Sequence, residues 1–499
     1  MSGDFRVISV ADSSMADPSG ADPSGADPFR AEPISVRNPR TGEVDYKIQP
    51  PSTEELGAVC DRLRQQQQHW QAKGVTHRIE TLQRWKQALQ DRKSALIEAL
   101  TADTGRLSES VLEVDSLLSG LDRWCCLAPS LLADAPAKIA AIPFIQIQPQ
   151  SVPYALVGVI SPWNFPLLLS TIDTIPALLA GCAVVVKPSE ITPRFMQPLK
   201  DAIAAVPALQ SVLSYIPGAG KTGAALVEAI DLICFTGSVA TGQIVAQAAA
   251  SKMIPAFLEL GGKDPAIVLA SADLELATTA ILWGSVVNAG QSCLSIERIY
   301  VADSLYEAFI ETIVQKAKGL AIAYPKLSSG QIGPIISEQQ AAVISEHLED
   351  AIAKGATLHC GGRVENLGGG LWCAPTVLSE VAHSMQVMTA ETFGPIMPIM
   401  PFASVEEAIH LANDTIYGLS GAVFAGSVAE AQAVGQQIQA GAISINDAAL
   451  TALIHEGEKN AFKASGLGGS RMGPAAIKRF MRKKVFLSKT KSVADPWWF

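Results

Sequence analysis

The chain has 499 residues, and 38 basic against 48 acidic side chains give a formal charge of −10. That length exceeds one simple core and predicts two or three structural units. The acidic balance argues against nucleic acid as the main partner, which calls for a basic face.

Residues 16–28 hold a tandem Ala-Asp-Pro-Ser-Gly repeat. Acidic and rich in Pro and Gly, it predicts a disordered tail over residues 1–33, with no apolar run of the secretory kind. Apolar residues recur at helical spacing from Thr76 to Leu118, which predicts two amphipathic helices. Residues 139–172 carry no charge, but prolines 143, 149, 153, 162 and 166 break any membrane-length helix. The stretch reads instead as strands, a loop and a buried helix starting at Pro166. Strand patterns at 155–160, 183–187, 212–216, 231–235 and 256–260 alternate with helical segments, which implies a doubly wound parallel sheet. A second alternating set follows Asp264, with strands near 266–269 and 298–301. Ser304 to Glu307 and Ser404 to Glu407 fit capping boxes, and Gly319 and Gly355 fit helix stops. The basic run from Lys478 to Lys484 reads as a solvated helix face. The Trp497-Trp498-Phe499 end is apolar enough to pack on a subunit or domain surface.

Eight cysteines, at 60, 125, 126, 182, 234, 293, 360 and 373, include no CxxC pair. They predict reduced thiols in the cytoplasm rather than a disulfide framework or a zinc site. His383 and His455 are isolated, so no metal is expected.

One cysteine stands apart. Asn288-Ala289-Gly290-Gln291-Ser292-Cys293 sets it in a small, polar, Gly-containing segment where a thiolate can be approached. Glu259, in Glu259-Leu260-Gly261-Gly262-Lys263, is a candidate base. Asn164, in Pro162-Trp163-Asn164-Phe165-Pro166, is a candidate oxyanion donor. Nucleophile, base and amide together describe acyl chemistry through a thioester. Three further motifs sit where a parallel sheet binds ligands, beyond strand ends. Lys187-Pro188-Ser189-Glu190 offers an ammonium and a carboxylate to ribose hydroxyls. Phe235-Thr236-Gly237-Ser238 leads through Thr241-Gly242 into a helix whose N-terminus suits a pyrophosphate. Glu391-Thr392-Phe393-Gly394-Pro395 lies farther along.

In this order these motifs resemble the aldehyde dehydrogenase superfamily, from about residue 35 to 485. The resemblance implies an α/β fold: a doubly wound parallel-sheet NAD-binding domain (34–141 and 154–263), an α/β catalytic domain (264–445) and a small β oligomerisation element (142–153 and 474–499). Residues 446–473 would border the substrate entrance and return. It implies Cys293 as nucleophile, Asn164 and the Cys293 N–H as oxyanion donors, and Glu259 as the base for deacylation. Lys187 and Glu190 would contact the adenosine ribose, Gly237 and Ser238 the pyrophosphate, Glu391 the nicotinamide ribose and Phe393 the nicotinamide, with Trp163 also on the cofactor. The Glu190 carboxylate repels a 2′-phosphate and favours NAD, while Lys187 leaves NADP open. Glu259 favours water over coenzyme A as acyl acceptor. A coenzyme A-acylating semialdehyde dehydrogenase and a non-catalytic binding relative are the alternatives. Few charges near the expected tunnel favour an apolar aliphatic or aromatic aldehyde. Residues 461–471 depart from the family pattern, which leaves substrate class open. A homodimer or homotetramer would fit.

Overall fold

The computed structural model describes residues 32–492 and residue 494. The tandem repeat and the Trp497-Trp498-Phe499 end lie outside the described residues. A helix over Thr53–Ala72 opens on a capping box in which Ser52 accepts from the Glu55 N–H and Glu55 returns the bond. Three helices follow where two were expected: Gly74–Gln90, Lys93–Thr104 and Ser108–Leu131. Gly105, at φ 71°, ends the second of these in the left-handed conformation that favours glycine. The apolar period runs on through both breaks, so periodicity alone does not reveal them.

The first sheet holds β1 (Leu156–Ile160), β2 (Ala183–Lys187), β3 (Leu213–Tyr215), β4 (Leu232–Thr236) and β5 (Ala256–Glu259). All five run parallel in the order β5-β4-β1-β2-β3. Every residue of β1, β2 and β4 is buried, as expected for strands covered by helices on both faces. Strand order reverses between β1 and β4, so a crevice opens there at the carboxyl edge.

The second sheet holds β6 (Asp264–Val268), β7 (Ile296–Ala302), β8 (Thr357–Cys360), β9 (Thr376–Ser379), β10 (Ile396–Phe402), β11 (Ser420–Phe424) and β12 (Ala442–Ile445), in the order β8-β9-β10-β7-β6-β11-β12. Only β8 is antiparallel to its neighbour. Ser404 caps its helix through the Glu407 N–H. Ser304 does not, because the chain passes through a 3-10 turn at Asp303–Leu305 before the Tyr306–Lys318 helix. A thirteenth strand, β13 (Gly466–Leu467), returns to the first sheet and pairs antiparallel with β5, Gly466 opposite Glu259.

Lys138–Ile139, Ile145–Pro153 and Met481–Lys489 form a three-stranded antiparallel arm. The basic run is therefore not a helix face. Helix persists only over Ala475–Lys478, and Arg482, Lys483 and Lys484 lie on a strand held by a nine-residue register with Ile145–Pro153. Each of the two large sheets has its own apolar core, the first shared with the N-terminal helices. Among the described residues, no helix is long and apolar enough to cross a membrane.

Candidate active site

Glu259 is the last residue of β5, with Thr236 of β4 directly across from it. Asn164 sits in the loop between β1 and the helix Pro166–Thr171, and Cys293 in the turn before β7. The cysteine turn is strained. Asn288, Ala289 and Gly290 all adopt left-handed backbone, at φ 55°, 53° and 71°. For the two that are not glycine this costs ~1–2 kcal/mol each.

Buried hydrogen bonds hold the turn in place. The Asn288 N–H donates to Glu109 Oε1 at 3.1 Å, and its Nδ2 donates to the Asn164 and Gln291 carbonyls at 3.1 and 2.9 Å. Gln291 Oε1 accepts from the Ile336 N–H at 2.8 Å, and Nε2 donates to the Pro334 carbonyl at 3.1 Å. Asn164 Nδ2 donates to the Gln291 carbonyl at 3.1 Å, which aims its amide at the cysteine turn. Glu113 accepts the Leu167 and Leu168 N–H groups at 2.9 and 3.0 Å and so caps the helix behind Asn164. Burial pushes the Glu113 carboxyl up to about 7 against the pull of Arg106.

Two cavities meet at these residues. One, of about 350 Å³, is walled largely by apolar side chains, among them Phe165, Leu168, Ile172, Trp283 and Val287. The other, of about 120 Å³, runs along the carboxyl edge of the first sheet. Asn164, Glu259 and Cys293 line both. Burial, then Glu391 and Asp264, push the Cys293 thiol up to about 12, while Lys459 and Arg471 oppose them.

Trp163, Gly237, Ser238, Glu391 and Phe393 line the smaller cavity. The Trp163 and Phe393 rings meet edge to face at 5.5 Å. Ser238 Oγ accepts from the Thr241 N–H at 3.3 Å and caps the helix Val239–Ser251. Glu391 Oε1 accepts from the Gly262 N–H at 3.0 Å, and burial together with Glu297 pushes its carboxyl up to about 8. Lys187 and Glu190 stand apart from this cavity, past the end of β2. Lys187 Nζ donates to the Gly218 and Pro188 carbonyls at 2.8 and 3.1 Å and lies 3.6 Å from Glu190.

Sequence reasoning missed the buried Lys263–Glu297 pair, 2.7 Å apart. Glu297 also accepts the Thr392 and Phe393 N–H groups, both at 2.7 Å, and so fixes the turn that carries Glu391 and Phe393. The available signal was a charge inside an apolar strand pattern four residues after Cys293. Arg298 is structural as expected, donating to the Lys263, Leu411 and Ala412 carbonyls. Asp173, gripped by Arg471 and Arg479, was also missed.

The sequence model of the Aldehyde dehydrogenase family matches residues 27–486. A crystal structure of a provisionally named aldehyde dehydrogenase, PutA from Anabaena variabilis, is 64% identical with a TM-score of 0.93, covering 94% of this chain and 100% of that one. Betaine aldehyde dehydrogenase from Staphylococcus aureus, solved in complex with NAD+, is 29% identical with a TM-score of 0.87, covering 94% of each chain. A provisionally named succinate-semialdehyde dehydrogenase [NADP(+)] from Mycolicibacterium smegmatis is 34% identical over 460 residues, 91% of this chain and 89% of its own.

Proposed function

Because the chain belongs to the aldehyde dehydrogenase family, we propose that it oxidises an apolar aldehyde to its carboxylic acid through a Cys293 thioester, with NAD as acceptor. The observation that carries this reading is the meeting of two cavities at Asn164, Glu259 and Cys293. One cavity suits an aldehyde tail and the other a dinucleotide, so the aldehyde carbon and its hydride acceptor converge on the thiol.

The carboxyl edge fits a dinucleotide by its own geometry. Ser161, just past β1 at the switch point, has a buried hydroxyl with no partner. A Cβ on Gly261 would lie 2.8 Å from Glu391 Oε1, so this glycine leaves the backbone bare beside the Glu391 carboxyl. When bound, the dinucleotide supplies the hydride acceptor that turns a thiohemiacetal into a thioester. Trp163, Glu391 and Phe393 would hold its nicotinamide end, Gly237 and Ser238 its pyrophosphate, and Lys187 and Glu190 its adenosine ribose. Lys187 is committed to two carbonyls, so Glu190 is the freer group toward the 2′ position, which supports NAD over NADP.

The chain's own groups then have distinct tasks. The Cys293 thiolate attacks the carbonyl carbon, and its proton passes to the Glu259 carboxylate. Asn164 Nδ2 and the Cys293 N–H stabilise the oxyanion, each such donor worth about 10²–10³ in rate. Glu259 takes a proton from water, hydroxide adds to the thioester, and the C–S bond breaks to release acid and thiol.

Arg471 in the larger cavity is already ion-paired with Asp173, which supports an apolar aldehyde over a dicarboxylic semialdehyde. Leu112, Trp283 and Leu453 line that cavity and are also exposed, giving it an apolar mouth. We assign the first sheet to the cofactor and the second to the nucleophile. The antiparallel arm exposes Ile139, Val485 and Leu487, which supports a homo-oligomer built through it. Eight unpaired cysteines support a reducing cytoplasm. The test is a series of linear alkanals beside succinic semialdehyde, each with NAD and with NADP. Each added methylene that fits the cavity should raise kcat/KM about fourfold, from ~0.8 kcal/mol per buried CH₂. A preference for succinic semialdehyde would overturn the apolar assignment.

A further inference from the structure

Three charged side chains with no part in the chemistry above cluster beside Glu259. Asp173 is 1% exposed and accepts from Arg471 Nη2 at 2.9 Å and from Arg479 Nη2. Arg479 also stacks over the Phe257 and Phe480 rings, at 4.8 and 5.1 Å. Two guanidiniums against one carboxylate leave an excess positive charge in a buried site. Arg471 is the member that lines the larger cavity together with Glu259 and Cys293. Its other anchor is the Thr236 hydroxyl, and Thr236 is the cross-strand neighbour of Glu259. Adjacent strands lie ~4.8 Å apart, so the guanidinium is fixed about one strand spacing from the base. Arg471 Nε is buried and has no partner.

The other charged and titratable groups facing Glu259 come from the second sheet and the entrance loop. They are Cys293, Glu391, Lys459 and His455. Glu391 holds its proton because burial raises its carboxyl. His455 is held neutral by burial and by Arg123. Lys459 is only part-buried, its backbone tied to Ser470. Arg471 is therefore the buried cation beside Glu259, and it stays charged at every working pH.

We propose that Arg471 is the positioning residue of the base. It keeps the Glu259 carboxylate ionised and stationed at the junction of the two cavities. Asp173 and Thr236 restrain its guanidinium from closing into an ion pair that would immobilise Glu259. The same charge opposes the upward push on the Cys293 thiol. This role rests on the thioester reading above and adds to it a residue from the segment where the sequence departs from the family pattern.

The test compares Arg471→Gln and Arg471→Lys with the unaltered chain. Removing a nearby opposite charge raises a carboxylate by about one unit or more. Arg471→Gln should therefore keep a pre-steady-state burst of one NADH per site, lose about tenfold in steady turnover at neutral pH, and shift the acid limb of the pH profile upward. Arg471→Lys, with charge retained, should restore the limb. A second arm needs no cofactor: the pH midpoint for iodoacetamide alkylation of Cys293, followed by peptide mass, should rise in Arg471→Gln. An unmoved limb together with an unmoved alkylation midpoint overturns the proposal, as does a loss in Arg471→Lys equal to that in Arg471→Gln, which would mark a packing role. If the unaltered chain gave no burst with any aldehyde while the alkylation midpoint still moved, the thioester reading would fail and the placement of Arg471 would stand.

Discussion

Replacing Gly290 by alanine tests whether the left-handed turn before Cys293 is what places the nucleophile. The residue sits at φ 71°, where alanine costs ~1–2 kcal/mol more than glycine. A Cβ there would lie 2.6 Å from the Pro395 nitrogen and closer still to the Gly394 carbonyl. Those obstacles are backbone, so they cannot swing aside as a side chain would. The cysteine turn and the 391–395 segment must part, and Glu297 and Gly262 hold that segment in place. A displacement of about 1 Å at a reacting atom costs about 10² in rate. Gly290→Ala should therefore slow single-turnover NADH formation about a hundredfold, while the chain stays folded through its two separate cores. The assay is rapid mixing of enzyme in excess over aldehyde, beside a thermal melt. A wild-type single-turnover rate in a well-folded Gly290→Ala chain would refute the argument.

Other outcomes follow from the same site. Burial raises the Glu391 carboxyl to about 8, so the folded chain binds this proton more tightly than the unfolded chain from the ordinary carboxylate value up to that point. Its contribution to stability therefore falls as pH rises through that window. Glu391→Gln should flatten the decline in urea midpoint between about pH 6 and 8, leaving the share from Asp264 and Glu113, which are raised to about 7; an unchanged slope would contradict the burial argument. Glu190→Gln should raise the ratio of NADP to NAD efficiency about tenfold, or ~1.4 kcal/mol, by removing one carboxylate from the 2′ position. A ratio that stays put would place the 2′-hydroxyl elsewhere.

Much of the architecture was legible because it depends on local pattern. The β-branched run Ala-Val-Val-Val before Lys187 is buried from end to end, and the proline that starts the helix after Asn164 sits at a first-turn position. The helix break at Gly105 was hidden because the apolar stripe continues across it. The strand at Met481–Lys489 was hidden because its basic residues report charge rather than period, and its partner lies more than 300 positions away. For the site, motif residues such as Glu259, Cys293 and Glu391 announce themselves through flanking glycines and small polar residues. The groups that hold them do not. Glu297 is bonded to Lys263 from 34 positions away and to Thr392 from 95, and Asp173 meets Arg471 from 298. A charge inside an apolar pattern says that a partner exists, but only the folded chain says which one.

The central claim is that turnover passes through an acyl group on Cys293 that Glu259 clears. The most direct measurement mixes the Glu259→Gln chain with aldehyde and NAD, counts NADH in the burst, and determines the mass of the protein at the end of it. The account predicts about one NADH per site, then a stall, with an acyl adduct on the peptide carrying Cys293. Undiminished steady turnover, or a burst with no adduct on Cys293, would contradict it.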